Sequence, residues 1–317
     1  MSLAVLFPGQ GSQSVGMGAD LFDTRPDLLG PDADEILGWS LRELCLEGPE
    51  ETLTRTEHAQ VAVFAVSYAL WEEFRNAYGG QVSAAAGHSL GEYTALCAAG
   101  ALTYEDALRA VARRGEAMAR AADLEPSGMA ALIGADAGLA DEVARKRRAE
   151  GGRLEVANIN APGQVVVAGS TDDIQWVSDN ARDLGVRRAM PLKVAAAFHS
   201  SFMEPAADEV GDALSKVGFS DPEFPVWANT TARPHETTDL AATLRAQVVS
   251  TVRFEESLAD MAASGVDTFV HIGPGDVTAG MARRTVDEAT VHVVSGVADI
   301  PGVADSLVSV TRPQERR

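Results

Sequence analysis

Residues 82–100, VSAAAGHSLGEYTALCAAG, constrain this chain more than any other stretch. A short apolar run enters Gly87-His88-Ser89-Leu90-Gly91, and a helical pattern then runs to a stop at Gly100. Strand, G-x-S-x-G and helix in that order can place a serine on the tip of a sharp elbow. The glycines allow the tight turn and let a substrate approach the backbone. A serine at a helix N-terminus meets free N–H groups and the positive end of the helix dipole, both of which favour an oxyanion. The same residues also suit a structural turn with no chemistry, and the motif alone does not choose.

The flanking pattern sets the fold class. LAVLF (3–7) ends in Pro8-Gly9 and reads as a buried strand running into a loop. Residues 57–78 read as a long buried helix, with Thr54 and Glu57 spaced for a capping box. Another helix starts near Thr103, with Asp106 placed to cap it, and runs to about Ala122. The character changes near Pro126. Strands at 128–135, 154–159, 164–169 and 187–194 alternate with helices at 138–149 and 171–183, the β-α-β-β-α-β order of a ferredoxin-like unit. Beyond it come a strand at 225–229, helices near 239–249 and 254–264, and a strand at 267–273. The expected fold is α/β: a core of mostly parallel sheet over 1–125 and 195–310, a ferredoxin-like subdomain over 126–194, and a polar, frayed tail at 311–317.

Bulk properties exclude several function classes. A formal net charge of −20 without a basic arm argues against nucleic-acid binding. The apolar runs fall well short of the ~20 residues of a membrane span, and the N-terminus lacks a signal-peptide pattern. Two cysteines, Cys45 and Cys97, are too few for a disulfide framework or a cysteine zinc site. A reducing, cytoplasmic setting is expected, with no metal and no bound cofactor.

A serine nucleophile needs a base, and there are six histidines. His88 adjoins the serine on a tight turn and is read as structural. His58, at the start of a buried helix, and His271 and His292, in strand-like runs, are read as core or surface residues. His235 follows Pro234 in a polar loop and is read as solvated. His199, in AAAFHSSFMEP (195–205), lies in a small-residue loop before a helix, where a base can reach a cleft. An α/β-hydrolase triad would add a distinct acid and an HGGG-like loop; no HGGG occurs, and no acid between Ser89 and His199 has a diagnostic context. The loop FPGQGSQSVGMG (7–18) lacks phosphate-loop spacing; by itself it suits either a plain turn or an anion loop whose backbone near Gln10 would supply a second oxyanion donor.

Together these segments resemble one family. FPGQGSQSVGMG, GHSLGEYTALCAAG, RRGEAM (113–118), ANINAPGQVVVAGS (157–170), AFHSSFMEPAAD (197–208), NTTARP (229–234) and IGPG (272–275) occur in order. The chain is similar to malonyl-CoA:acyl carrier protein transacylases over roughly residues 3–300. The resemblance implies an α/β-hydrolase-like core with a ferredoxin-like subdomain. It implies a ping-pong transfer of malonyl from a CoA thioester, malonyl-CoA, to the phosphopantetheine thiol of an acyl carrier protein; a monomer is expected. Ser89 would be the nucleophile and His199 the base, oriented by a backbone carbonyl near Gln247. The N–H groups of Gln10 and Leu90 would form the oxyanion hole. Arg114 would pair with the malonyl carboxylate, although its neighbour Arg113 could exchange roles with it. Phe198 would narrow the space for an α-methyl branch, against the alternative of a plain core phenylalanine. Asn160 sits on the NAPGQ turn near the cleft, with a turn-forming asparagine as the plainer reading.

Two positions depart from the family pattern. QVVSTVRF (247–254) replaces a frequent Asn-Pro-Val-Arg/Gln-Trp run, and Asp276 stands where lysine is frequent. The basic run RKRR (145–148), with Arg153, is expected either to dock an acidic carrier through Arg145, Arg147, Arg148 and Arg153 or to form a solvated helix face. A fatty-acid or a polyketide carrier would serve, and the AFHSSFM and NTTARP versions favour the latter. A serine hydrolase editing carrier-bound acyl chains, a transferase for a branched extender such as methylmalonyl, and an inactive carrier-binding scaffold are the alternatives.

Overall fold

The computed structural model describes residues 2–311. In chain order its strands are β1 (Leu3–Phe7), β2 (Ala84–Gly87), β3 (Ser127–Ile133), β4 (Leu154–Ala161), β5 (Gln164–Ser170), β6 (Arg188–Pro191), β7 (Val226–Trp227), β8 (Val252–Arg253), β9 (Thr268–Ile272) and β10 (Thr290–Val294). They form two five-stranded sheets.

The first sheet has the order β10-β9-β1-β2-β7, and every neighbouring pair is parallel. Central β1 is buried along its whole length because both faces meet apolar layers. Leu3, Val5 and Phe7 join a core with Val63, Phe64 and Trp71 of the helix Thr56–Tyr78. Ala4 and Leu6 join another with Leu258 and Met261 of the helix Phe254–Ala263. A strand covered on both faces reads as an unbroken apolar run, as LAVLF does.

The second sheet has the order β6-β3-β5-β4-β8. Its first four strands are antiparallel and carry the helices Ala137–Ala149 and Thr171–Asn180. Leu132, Val165 and Val167 pack with Val143 and Val177 of those helices. Met129, Val166 and Ala168 instead join the main core of the first unit, so the two sheets meet across a shared apolar seam.

The fifth strand was not expected. β8 lies beyond the inserted stretch and pairs in parallel with β4, Asn158 beside Val252. Two residues are too short to show an alternating pattern. The helices Thr56–Tyr78 and Tyr104–Ala122 both begin where expected, but their expected caps differ. The long helix begins after Arg55 with no side-chain cap, and the Thr54 hydroxyl donates to the Glu50 carbonyl instead. At the next helix Thr103 is the cap, and Asp106 supplies the N–H that it accepts. Near the end of the chain Thr311, expected to open the frayed tail, instead closes the helix Ile300–Thr311. The remainder of the expected tail lies outside the described residues. Among the described residues no helix is long and apolar enough to cross a membrane.

Candidate active site

The elbow forms where β2 ends. Ser89 has φ 53°, a left-handed conformation that residues with a side chain seldom adopt. Its backbone is held on both sides. The Ser89 N–H donates to Asn229 Oδ1 at 2.7 Å, and its carbonyl accepts from Gln247 Nε2 at 2.9 Å. Asn229 Nδ2 also donates to the Gly87 carbonyl at 2.7 Å. The glycines answer to close contacts: a Cβ on Gly91 would collide with the Phe7 carbonyl, and one on Gly9 would lie 2.6 Å from the His88 carbonyl. The loop after β1 is thus pressed against the elbow. Among the described residues, the N–H groups of Gln10 and Leu90 have no protein acceptor.

Ser89 Oγ lies 2.7 Å from His199 Nε2, and His199 Nδ1 lies 2.9 Å from the Gln247 carbonyl. A carbonyl only accepts, so Nδ1 carries the proton and Nε2 is left to accept from the serine hydroxyl. Burial, and then the nearby Arg114 cation, push His199 down to about 3, against the pull of the Gln247 carbonyl. The imidazole is therefore neutral at ordinary pH. His199 also has a left-handed backbone, φ 57°.

Arg114 rises from the helix Tyr104–Ala122 and is only 1% exposed. Its Nη1 donates to Gln60 Oε1 at 2.6 Å; its Nη2 donates to Ser89 Oγ at 2.9 Å and Gln247 Oε1 at 2.8 Å. Arg113 instead faces solvent and pairs with Glu116, so of the two it is Arg114 that touches the serine. Burial pushes the Arg114 guanidinium below its ordinary value, while Tyr93 and Glu92 pull it back.

Ser89 and His199 open onto a cleft of about 310 Å³. Ser89, His199, Gln10, Phe198 and Asn160 line it, whereas Leu90, Arg114 and Gln247 lie outside its lining. Met118, Met129 and Val166 make part of its wall apolar. Asn160 belongs to β4, not to the turn, because that strand runs on to Ala161. Its Oδ1 lies 2.7 Å from His88 Nε2, which ties the second sheet to the elbow. His88 thus lines the cleft as well as bracing the turn.

The solvated reading of His235 is corrected. Its side chain is 1% exposed and sits 2.7 Å from Glu92, itself fully buried. The loop bearing it folds back onto the elbow helix, which a polar composition does not reveal. His271 is buried and bonded to Thr278 and Gly273, and the His58 ring bonds the Thr52 carbonyl; neither lines the cleft.

Gln60, Glu92 and Asn229 had no role from sequence reasoning. Glu92 had a signal, a lone acid in an otherwise apolar helix. The basic run is largely tied within its own subdomain. Arg145 pairs with Asp141 and Arg147 with Asp173, while Arg148 donates to the Leu154 carbonyl. Arg153 pairs with Glu125 and lies over the Phe202 ring. None of the four lines the cleft.

A family model described as an acyl transferase domain matches residues 5–308. The malonyl CoA-acyl carrier protein transacylase of Bacillus subtilis is 42% identical over 285 residues, 89% of this chain and 90% of that protein. An acyl-carrier-protein S-malonyltransferase from Burkholderia pseudomallei superposes with a TM-score of 0.91 at 36% identity, covering 96% of this chain and all of the other. A malonyl-transacylase solved in complex with its type II PKS acyl-carrier protein superposes equally well, with a TM-score of 0.91 at 34% identity and the same coverage.

Proposed function

This chain belongs to the acyl transferase domain family and, within it, to the malonyl CoA-acyl carrier protein transacylases; on that footing we propose that it carries malonyl from CoA to the phosphopantetheine thiol of an acyl carrier protein through an ester on Ser89. One observation carries the reading. Ser89 Oγ sits between a neutral base, His199 Nε2, and a buried cation, Arg114 Nη2.

The hydroxyl accepts from Arg114 and donates to His199. As Oγ attacks the thioester carbonyl, Nε2 takes its proton. The carbonyl oxygen becomes an oxyanion beside the Gln10 and Leu90 N–H groups. Collapse breaks the C–S bond, and His199 returns the proton to the departing CoA sulfur. The carrier thiol then attacks the ester by the reverse steps. Thiol–ester exchange needs only proton transfer, so no metal or redox cofactor is assigned a part.

Acylation makes Oγ an ester oxygen, a poorer acceptor, and releases Nη2 for the malonyl carboxylate. A hydrogen bond to a charged group is worth about 1.5–3 kcal/mol, so two of them favour malonyl strongly over acetyl. Phe198, beside the base and lining the cleft, would crowd an α-methyl branch. The apolar wall disfavours water as the acceptor. The enzyme is read as a stand-alone, monomeric and cytoplasmic protein; its two cysteines are free and buried. The partner in the type II PKS complex supports a polyketide carrier, with fatty-acid synthesis as the other setting.

Mass spectrometry of the intact protein mixed with malonyl-CoA tests the reading. A malonyl adduct on Ser89, absent in Ser89→Ala and passed on to holo carrier protein, is expected. Free malonate released at the loading rate would make the chain a hydrolase, and no adduct would make it a scaffold. Equal loading with methylmalonyl-CoA would remove the selectivity role of Phe198.

A further inference from the structure

Next to the elbow lies a buried polar cluster to which the mechanism above gives no part. Glu92 is fully buried, and both of its oxygens are engaged. Oε1 faces His235 Nε2 at 2.7 Å. Oε2 accepts from the Asn229 N–H at 3.0 Å and from Gln247 Nε2 at 2.7 Å. The other end of that Gln247 amide accepts from Arg114 Nη2 at 2.8 Å. Glu92 Oε2 accepts and a guanidinium only donates, so the amide between them has one favourable orientation. That orientation also directs Nε2 to the Ser89 carbonyl.

A buried cation without an opposite charge is strongly unfavourable. Arg114 bonds two amides and a hydroxyl and makes no ion pair among the described residues. Glu92, one amide away, supplies opposite charge within the same buried cluster. Tyr93, His88 and His199 also interact with Arg114, and His235 with Glu92.

We propose that Glu92 is a positioning residue and the resident countercharge of Arg114, relayed through the Gln247 amide, so that it limits how tightly the malonyl carboxylate is held. The inference rests on the reading that Arg114 receives that carboxylate. A substrate carboxylate then meets a cation already partly compensated, which is recognised on loading and released on transfer. Without Glu92, the acyl group itself becomes the main countercharge. His235 holds Glu92 from the far side, and its Nδ1 is buried without a partner.

Glu92→Gln removes the charge at nearly constant shape. Malonyl and acetyl loading are measured separately, with KM, kcat and the fraction of acyl-enzyme standing in the presence of carrier. The expected result is a several-fold lower KM for malonyl-CoA, a higher standing fraction of malonyl-enzyme and slower discharge, with acetyl kinetics little changed. A purely structural role would weaken both acyl groups alike, and that outcome overturns the proposal. Should the variant not fold, the melting temperatures of malonyl- and acetyl-Ser89 wild-type protein decide. A resident countercharge predicts a malonyl-over-acetyl rise in melting temperature well below that of two full charge-assisted bonds, whereas a rise of that full size overturns it. Arg114→Ala separates the two readings. If that variant keeps the malonyl preference, the role of Arg114 itself falls. If the preference is lost while Glu92→Gln shifts both acyl groups alike, only the role of Glu92 falls.

Discussion

The two sheets contribute unequally to one cleft. The parallel sheet places its loops at the chemistry: Gln10 follows β1, Ser89 follows β2 and Asn229 follows β7. Ligands of open α/β sheets bind beyond the carboxyl ends of the strands, where such loops converge. The antiparallel sheet contributes Met129, Val166 and Asn160, which are wall more than machinery. Its arginines are mostly engaged with their own subdomain. The nucleophile and an oxyanion donor thus come from loops of one sheet, the base His199 from the segment between β6 and β7, and much of the enclosure from the other sheet. Changes beside the first sheet should therefore cost much more than changes on the second.

Gly91→Ala is expected to be the most damaging, because its Cβ meets the Phe7 carbonyl and moves the elbow. A displacement of about 1 Å can cost about 100-fold, so loading of every acyl-CoA should fall at least that far in a stopped assay. Arg114→Ala should lower malonyl loading by on the order of 100-fold, with a smaller effect on acetyl, as two charge-assisted bonds are lost. Equal losses for both would move substrate recognition away from the first sheet.

The third prediction concerns acid. His199 is held at about 3 and His271 at about 4, both below the usual 6.5, chiefly by burial. Between 6.5 and those values the unfolded chain binds protons that the folded chain refuses. Stability is therefore fully present above about pH 6.5 and falls as pH drops, by roughly 2 kcal/mol per histidine at about pH 5. Urea midpoints at about pH 7 and about pH 5 measure it, and unchanged midpoints would refute the buried neutral state. The loading rate should nonetheless keep its base in this range, so its acid limb should lie well below about pH 6.

On the second sheet, Asn160→Ala removes the acceptor for His88 Nε2 and should cost about 1–3 kcal/mol of stability, with loading reduced less than about tenfold. A loss as deep as that of Gly91→Ala would make this sheet part of the machinery. Arg145→Glu should have the smallest effect. Arg145 is exposed and already paired, and surface pairs contribute about 0–1 kcal/mol. We retain carrier docking at the basic run as a proposal, and expect a modest rise in KM for carrier protein without any change in loading from malonyl-CoA. An unchanged KM would remove Arg145 from the docking surface.

The elements with strong local patterns were legible. LAVLF, the elbow and the β-α-β-β-α-β succession each carry their period within a few residues. The short pairing of β8 with β4 was not, since two residues have no period. His199 was singled out by its loop, but its orientation rests on the Gln247 carbonyl, a main-chain group that no side-chain pattern reports. His235 was misread because a loop's polar composition describes the loop and not the carboxylate it folds over.

Read alone, the chain specifies a strand–turn–helix with a serine at its tip, an alternation of sheet and helix, and the ordered motifs of an acyltransferase. Packing settled the rest: which arginine meets that serine, which carbonyl holds the His199 ring, and that a buried Glu92 stands one amide from the Arg114 cation. The cause is separation along the chain. Ser89 lies 110 residues from His199 and 158 from Gln247, and it meets them through hydrogen bonds set by how the strands and helices pack. Local periodicity records the face a residue turns, not the partner it finds there.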